Sequence, residues 1–355
     1  MSKKYLKEEI DRISHLFIPH QIGNGNDAWI VRGSLTSTAT LDDVEYQLRQ
    51  SSFDVQSFIQ GTEVTLVMNI KEEPILFSMP SISKIHILLF LTTIGTTLLA
   101  GSIMAGGNPF STFSDLWKGL SFSVTLMMIL GFHETGHYIF ARKHGVDATL
   151  PYFLPAPTFI GTFGAFIKIK SPIYKRKALL DIGASGPIAG FLVAVPALIW
   201  GLFHSNVVTV TSEQLGIQLG DSLLMKLLTY SIFPTLLETQ DIILHPVAFA
   251  GWIGLLVTML NLLPIGQLDG GHIAYAILGR KFDRVAKIAW FMLIPMAFIS
   301  INWLVWGILI MLLMRTTKHP PVANIDEPLK KSEKRIGWIS LIIFILCFIP
   351  APFPS

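Results

Sequence analysis

The stretch Leu130-Gly-Phe-His-Glu-Thr-Gly-His-Tyr-Ile-Phe-Ala141 places two histidines and a glutamate near the end of an apolar run that begins at about Leu116. The run reads as a membrane-spanning helix. His133 and His137 stand i and i+4, so on a helix they lie about 40° apart around the axis and one turn apart along it, where both imidazoles reach one ion. Zinc is the natural candidate. Glu134, one step round, would meet a metal-bound water without being a ligand, the general-base place in metalloproteases. The competing reading is a chance match in which the histidines are hydrogen-bonded core groups. Ionisable side chains deep in an apolar span are costly and mark functional sites, which favours the metal.

Composition agrees with a chain built around such spans. Of its 355 residues 51% are hydrophobic and 14% charged, against about 25% charged in a soluble domain. This predicts a multi-pass membrane protein. The net charge of +3 is small, and the Lys and Arg gather in particular loops, so they read as topology signals in a lipid bilayer and not as a nucleic-acid surface. Cys347 is the one cysteine and has no internal disulfide partner. The polar start, Met1 to Arg12, carries no apolar core of a cleavable signal peptide.

Outward from the first motif, the charges orient the spans. The run ends in Arg142-Lys143-His144, and Lys168, Lys170, Lys175, Arg176 and Lys177 follow, which makes this end cytoplasmic by the positive-inside rule. His137 lies five residues before Arg142 and His133 nine, so the ion would sit roughly 7 to 14 Å below the cytoplasmic end. An earlier span is expected from about Ile85 to Met104, and a later one from Ala178 to Phe203. The latter opens with Asp181-Ile-Gly-Ala-Ser-Gly-Pro-Ile-Ala-Gly190, small residues suited to tight packing against the first motif's helix. Between these spans Pro151 to Pro157 is too proline-rich for a helix, and Gly161-Thr-Phe-Gly-Ala-Phe-Ile-Lys-Ile-Lys170 alternates like a strand. We expect a hairpin or membrane-entering loop whose edge at Gly161, Phe163 and Gly164 either holds an extended peptide or simply packs.

A fourth span, Val247 to Leu263, delivers a second constellation, Asn261-Leu-Leu-Pro-Ile-Gly-Gln-Leu-Asp-Gly-Gly-His272. Pro264 and Gly266 break the helix and leave Asp269 as the one carboxylate there. Two histidines need a third protein ligand if zinc is to keep a position for water. The span runs outside to inside, so Asp269 reaches the depth of His133 and His137; its alternative role is to cap the helix Gly270 to Leu278. Residues 204 to about 245 would lie outside, with an amphipathic surface helix at Leu223 to Phe233. The block Ile288 to Met314 has basic flanks, which favours two short helices turning near Ser300 to Asn302 over one span.

Residues 1–82 read as a small soluble α+β domain on the cytosolic side, a scaffold or regulatory cap with no chemistry of its own: Leu6, Ile10, Ile13, Leu16 and Phe17 at helical spacing, a strand from Ala28, a helix from Leu41 to Arg49, and strands at Phe53 and Glu63 joined at Gln60-Gly61. The remaining boundaries are a membrane-embedded domain over 83–315, a basic polar linker over 316–335 and a C-terminal apolar segment over 336–355. The expected fold is thus a mostly α-helical polytopic membrane protein of about six or seven spans, with a membrane-associated β-hairpin or strand and that N-terminal domain.

The paired motifs, His133 to His137 and Asn261 to Gly270, resemble the site-2 protease family of intramembrane zinc metalloproteases. That family's Gly-x-x-Gly strand and Ser-Gly-Pro pattern look like Gly161 to Gly164 and Ser185 to Pro187. The resemblance covers about Leu116 to Leu278; some members carry a PDZ domain in the outside loop or CBS domains at the C-terminus, and neither is expected here, because residues 204 to about 245 and the polar stretch 316–335 are short for them. It implies one zinc ion per chain held by His133, His137 and Asp269, with Glu134 activating a water and Asn261 steadying the substrate carbonyl or oxyanion. The implied substrate is a transmembrane protein or peptide, trimmed outside and locally unwound, cut in the cell (inner) membrane nearer its cytoplasmic side. Two rivals remain: a metal-dependent membrane enzyme of another kind or a non-proteolytic family member acting as a chaperone or adaptor, and a transporter, which also uses broken helices with ionisable groups at depth.

Overall fold

The computed structural model describes residues 3–24, 29–48, 53–61, 63–70, 82–209, 218–237, 239–314, 316–320, 322 and 324–354. Ala28, Arg49 and Arg315, which bound an expected strand, helix and domain, lie outside them, as does Glu213 in the stretch 204 to about 245 expected on the outside. The chain forms two compact units, Met1–Ser78 and Met79–Ser355.

In the first unit helix α1 (Lys3–Arg12) precedes strands β1 (Phe17–Asn24) and β2 (Trp29–Leu35), and α2 (Leu41–Leu48) precedes β3 (Phe53–Gln60) and β4 (Glu63–Ile70). These two successive helix-hairpin units make one antiparallel sheet, ordered β1-β2-β4-β3. Its inner face alternates as a half-buried strand must, with Val64, Leu66 and Met68 buried against Leu6, Ile10, Ile13 and Val44. Phe17, grouped with α1 by its spacing, instead opens β1; its ring is buried in the same core, so burial and not helical period explains it.

The second unit is mostly helical. It contains α3 (Lys84–Met104), a 3-10 turn (Phe113–Gly119) leading into α4 (Leu120–Lys143), and the hairpin β5 (Tyr152–Pro155) with β6 (Thr162–Phe166). Then come α5 (Arg176–Phe203), β7 (Asn206–Thr209), α6 (Leu223–Ile232), β8 (Gln240–Ile243), α7 (Pro246–Asn261), α8 (Asp269–Leu278), α9 (Phe282–Met296), α10 (Asn302–Met314) and α11 (Lys331–Cys347). Three helical stretches among the described residues are long and apolar enough to cross a membrane: Lys84–Met104, Phe113–Lys143 and Arg176–Phe203. The helices Pro246–Asn261 and Asn302–Leu312 are apolar but shorter.

The core lies where α4, α5 and α7 pack on one another. Phe122, Leu126 and Leu130 of α4 meet Ala194, Leu198 and Leu202 of α5 and Trp252, Leu255 and Met259 of α7, all buried. Ile288 to Met314 forms two helices, α9 and α10, turning at residues 297–301. The stretch 316–335 is not a free linker. Val322, Ile325 and Leu329 are buried, and α11 begins within it at Lys331, because main-chain bonds to the loops before α5 and before α8 supply the order that its polar sequence lacks. Also unexpected was the β7–β8 pairing, two four-residue strands some thirty residues apart.

Candidate metal centre

α4 carries His133, Glu134 and His137 on its buried side, and the broken segment after α7 delivers Asp269 as the first residue of α8. The Nε2 atoms of His133 and His137 lie 3.2 Å apart. Asp269 Oδ2 lies 3.3 Å from the first and 3.2 Å from the second. A tetrahedral zinc site with bonds near 2.0–2.2 Å needs its ligand atoms roughly 3.3 Å or slightly more apart. All three edges therefore fit one ion, and these residues are the group able to hold a metal among the described residues. Asp269 makes no side-chain cap of its own: the N-cap of α8 is Leu268, which forms no side-chain hydrogen bond.

Neighbouring backbone sets the histidine chemistry. His137 Nδ1 lies 2.7 Å from the Ile182 carbonyl, which only accepts, so Nδ1 carries the hydrogen and a neutral ring keeps its Nε2 lone pair for a metal. The α5 backbone comes this close because it has no side chains at the contact. A Cβ on Gly186 would lie 2.1 Å from His137 Nε2, and one on Gly190 would lie 3.1 Å from His133 Nδ1. The small-residue stripe is thus the back wall of the centre.

Glu134 is buried with its two oxygens in different roles. Oε2 accepts the Ile167 main-chain N–H at 2.8 Å, just beyond β6. Oε1 is 3.9 Å from His133 Nε2, beside the three candidate ligands. Asn261, at the end of α7, brings its Nδ2 within 3.3 Å of His133 Nε2. The two motifs therefore converge on one point.

The expected peptide edge is more divided. Among the described residues β6 pairs with β5 alone, and Phe163 is 72% exposed and opposes no residue of β5. Gly164, at φ 99°, has open space around it, whereas a Cβ on Gly161 would lie 2.5 Å from the Thr96 carbonyl oxygen. Gly161 faces α3; Phe163 and Gly164 face outward. Sequence reasoning missed the Ile167 amide and the Ile182 carbonyl, which are main-chain groups and leave no trace in residue type. It also missed Arg176, whose guanidinium donates to the Ala276 and Ile277 carbonyls and so caps the end of α8.

Residues 121–301 match the sequence profile of Peptidase family M50. Among similar proteins is a probable zinc metalloprotease EGY2, chloroplastic, of Oryza sativa subsp. indica, 32% identical over 274 residues, 74% of this chain and 49% of the relative. A probable zinc metalloprotease EGY1, chloroplastic, of Arabidopsis thaliana is 29% identical, covering 67% of this chain and 44% of the relative. A probable zinc metallopeptidase EGY3, chloroplastic, of the same plant is 25% identical, covering 90% and 57%. The chain spans about half the length of the relatives it matches. No solved structure matches it.

Proposed function

Because the chain belongs to Peptidase family M50, the site-2 protease family, we propose that it is a zinc metalloprotease that hydrolyses peptide bonds within or beside transmembrane helices of other membrane proteins. One observation carries this reading: His133, His137 and Asp269, from segments far apart in the chain, present three ligand atoms at tetrahedral spacing with Glu134 alongside. A zinc ion held by those three would supply Lewis acidity, polarising a carbonyl and making water acidic enough to attack.

The remaining work falls to this chain's own groups. Glu134 takes the attacking water's proton and delivers it to the leaving amine nitrogen as the C–N bond breaks, a contribution on the order of 10²–10⁴ in rate. The Ile167 N–H keeps that carboxylate turned toward the ligands. Asn261 Nδ2 donates to the carbonyl oxygen as negative charge develops there. The outward edge of β6, at Phe163 and Gly164, takes an unwound substrate segment by main-chain hydrogen bonds, since a helical substrate has its own carbonyls occupied. We place the molecule in a membrane through six or seven helical segments, with the α4 C-terminus on the cytoplasmic side.

The test uses the purified full chain in detergent with a tagged single-span protein. Cleavage that stops with a chelator and returns with zinc supports the proposal, as does a Glu134→Gln variant that keeps zinc and loses cleavage. A Glu134→Gln variant that cuts at the parental rate, or transport without any cleavage, contradicts it.

A further inference from the structure

The connection between α10 and α11 lies against both flanks of Asp269. On one side the Gly266 N–H donates to the Thr317 carbonyl at 3.0 Å, and the Gln267 N–H lies 3.4 Å from Met314 Sδ. On the other, His272 Nδ1 meets His319 Nε2 at 2.6 Å. His272 is three residues past Asp269 in α8, on the neighbouring face of the same first turn. Both back onto one glycine of α5: a Cβ on Gly183 would lie 2.8 Å from His272 Cβ and 3.2 Å from the Asp269 carbonyl oxygen.

The hydrogens in this pair can be assigned. His319 Nδ1 lies 2.6 Å from the Pro320 carbonyl, which can only accept, so Nδ1 is the protonated nitrogen. In a neutral ring Nε2 is then an acceptor, and His272 donates to it from Nδ1. Burial holds the His319 pKa below its ordinary value, consistent with a neutral ring. The ring is also clamped: Tyr275 stacks on it at 4.5 Å and 16°, and Phe282 meets it edge-on. Farther along, the Asn324 N–H donates to the Tyr174 carbonyl, and Arg176 donates both to the Glu327 carbonyl and to the end of α8.

We propose that His319 is a positioning residue for the third ligand. Its Nε2 fixes His272, and through it the first turn of α8, so that Asp269 stays within ligand distance of the two α4 histidines. Asp269 needs such a restraint because it follows a break at Pro264 and Gly266 and starts a helix without a side-chain cap. This inference rests on the zinc reading above, and its test separates the two.

Parent, His319→Leu, His319→Gln, His272→Leu and the double leucine variant are compared as zinc-loaded full chains in detergent. Two quantities are measured: zinc release to a chelating dye, and hydrogen exchange of the amides of residues 268–275 and of α4. His319→Leu keeps the bulk and loses the acceptor, so it should release zinc on the order of tenfold faster. Exchange should quicken at the start of α8 and not in α4. His319→Gln retains an acceptor oxygen and should recover most of the parental behaviour. The double variant should be no worse than either single one, since both break one bond. Parental zinc release and α8 exchange in His319→Leu would overturn the proposal, as would strictly additive effects of the two leucines. A parent chain that holds no zinc would sink the metal reading instead, and the exchange comparison would still decide the role of His319.

Discussion

His137 has its hydrogen placed by the Ile182 carbonyl and its ring seated against a glycine, so the centre depends on what α5 lacks as much as on what α4 carries. Gly186→Ala should therefore displace the His137 ring: zinc content and cleavage should fall together, with the helical circular dichroism close to the parent's. Wild-type zinc content in that variant would mean the wall is not tight. Asp269 separates two roles by a single atom. Asp269→Asn keeps size and capping ability but loses the charge a zinc site uses, so a cap would survive it and a ligand would not. Metal analysis of purified Asp269→Asn should give well under one zinc per chain. Glu134→Gln should do the reverse, holding zinc and losing turnover by a factor on the order of 10² or more.

The hairpin β5–β6 ties an element to a residue, since the main chain just past β6 holds Glu134. Phe163 sits in a bulge opposite no β5 residue, so Phe163→Pro should spare the hairpin's own ladder while impairing a partner strand. Cleavage should drop more than thermal stability does, and equal cleavage by a well-folded variant would count against the edge. In the first unit, Asp43 accepts from Thr40 through both its N–H and its hydroxyl at the start of α2, and these bonds hold its carboxyl below the usual carboxylate range. A depressed carboxyl stabilises the fold above its unfolded value of about 3.9 and loses that contribution as pH falls through the folded value. Amide exchange in α2 should accordingly be faster in Asp43→Asn than in the parent at pH 7, with the gap closing in acid. The long elements were readable because apolar runs, basic flanks and helix-breaking Pro264 and Gly266 are local signals. The β7–β8 pairing and the packed stretch after α10 were not, because four-residue strands far apart and a polar connection are ordered by tertiary hydrogen bonds that no window of sequence contains.

Across the second unit the basic ends of several helices converge. Arg176 at the start of α5 reaches the end of α8 and the Glu327 carbonyl, and Arg280 pairs with Asp326. The far end is closed differently: the Trp303 indole and Asn302 amide donate to the Pro350 and Phe353 carbonyls, and the Trp252 indole to Gly220. Such sidedness predicts that a cysteine at Lys175 is labelled by an impermeant reagent only after the cytoplasmic face is opened, and labelling in intact cells would reverse the orientation. The His-Glu-x-x-His and Asn-to-Asp segments were each legible alone; their meeting within 3.3 Å is a property of the whole bundle. Whether that meeting makes a protease is decided most directly by zinc titration of the metal-stripped, purified chain while cleavage of a tagged single-span protein is followed. Activity should rise to a plateau at one zinc per chain, and Asp269→Asn should show none at zinc concentrations that saturate the parent. Cleavage by the metal-free chain, or a parental titration curve in Asp269→Asn, would contradict it.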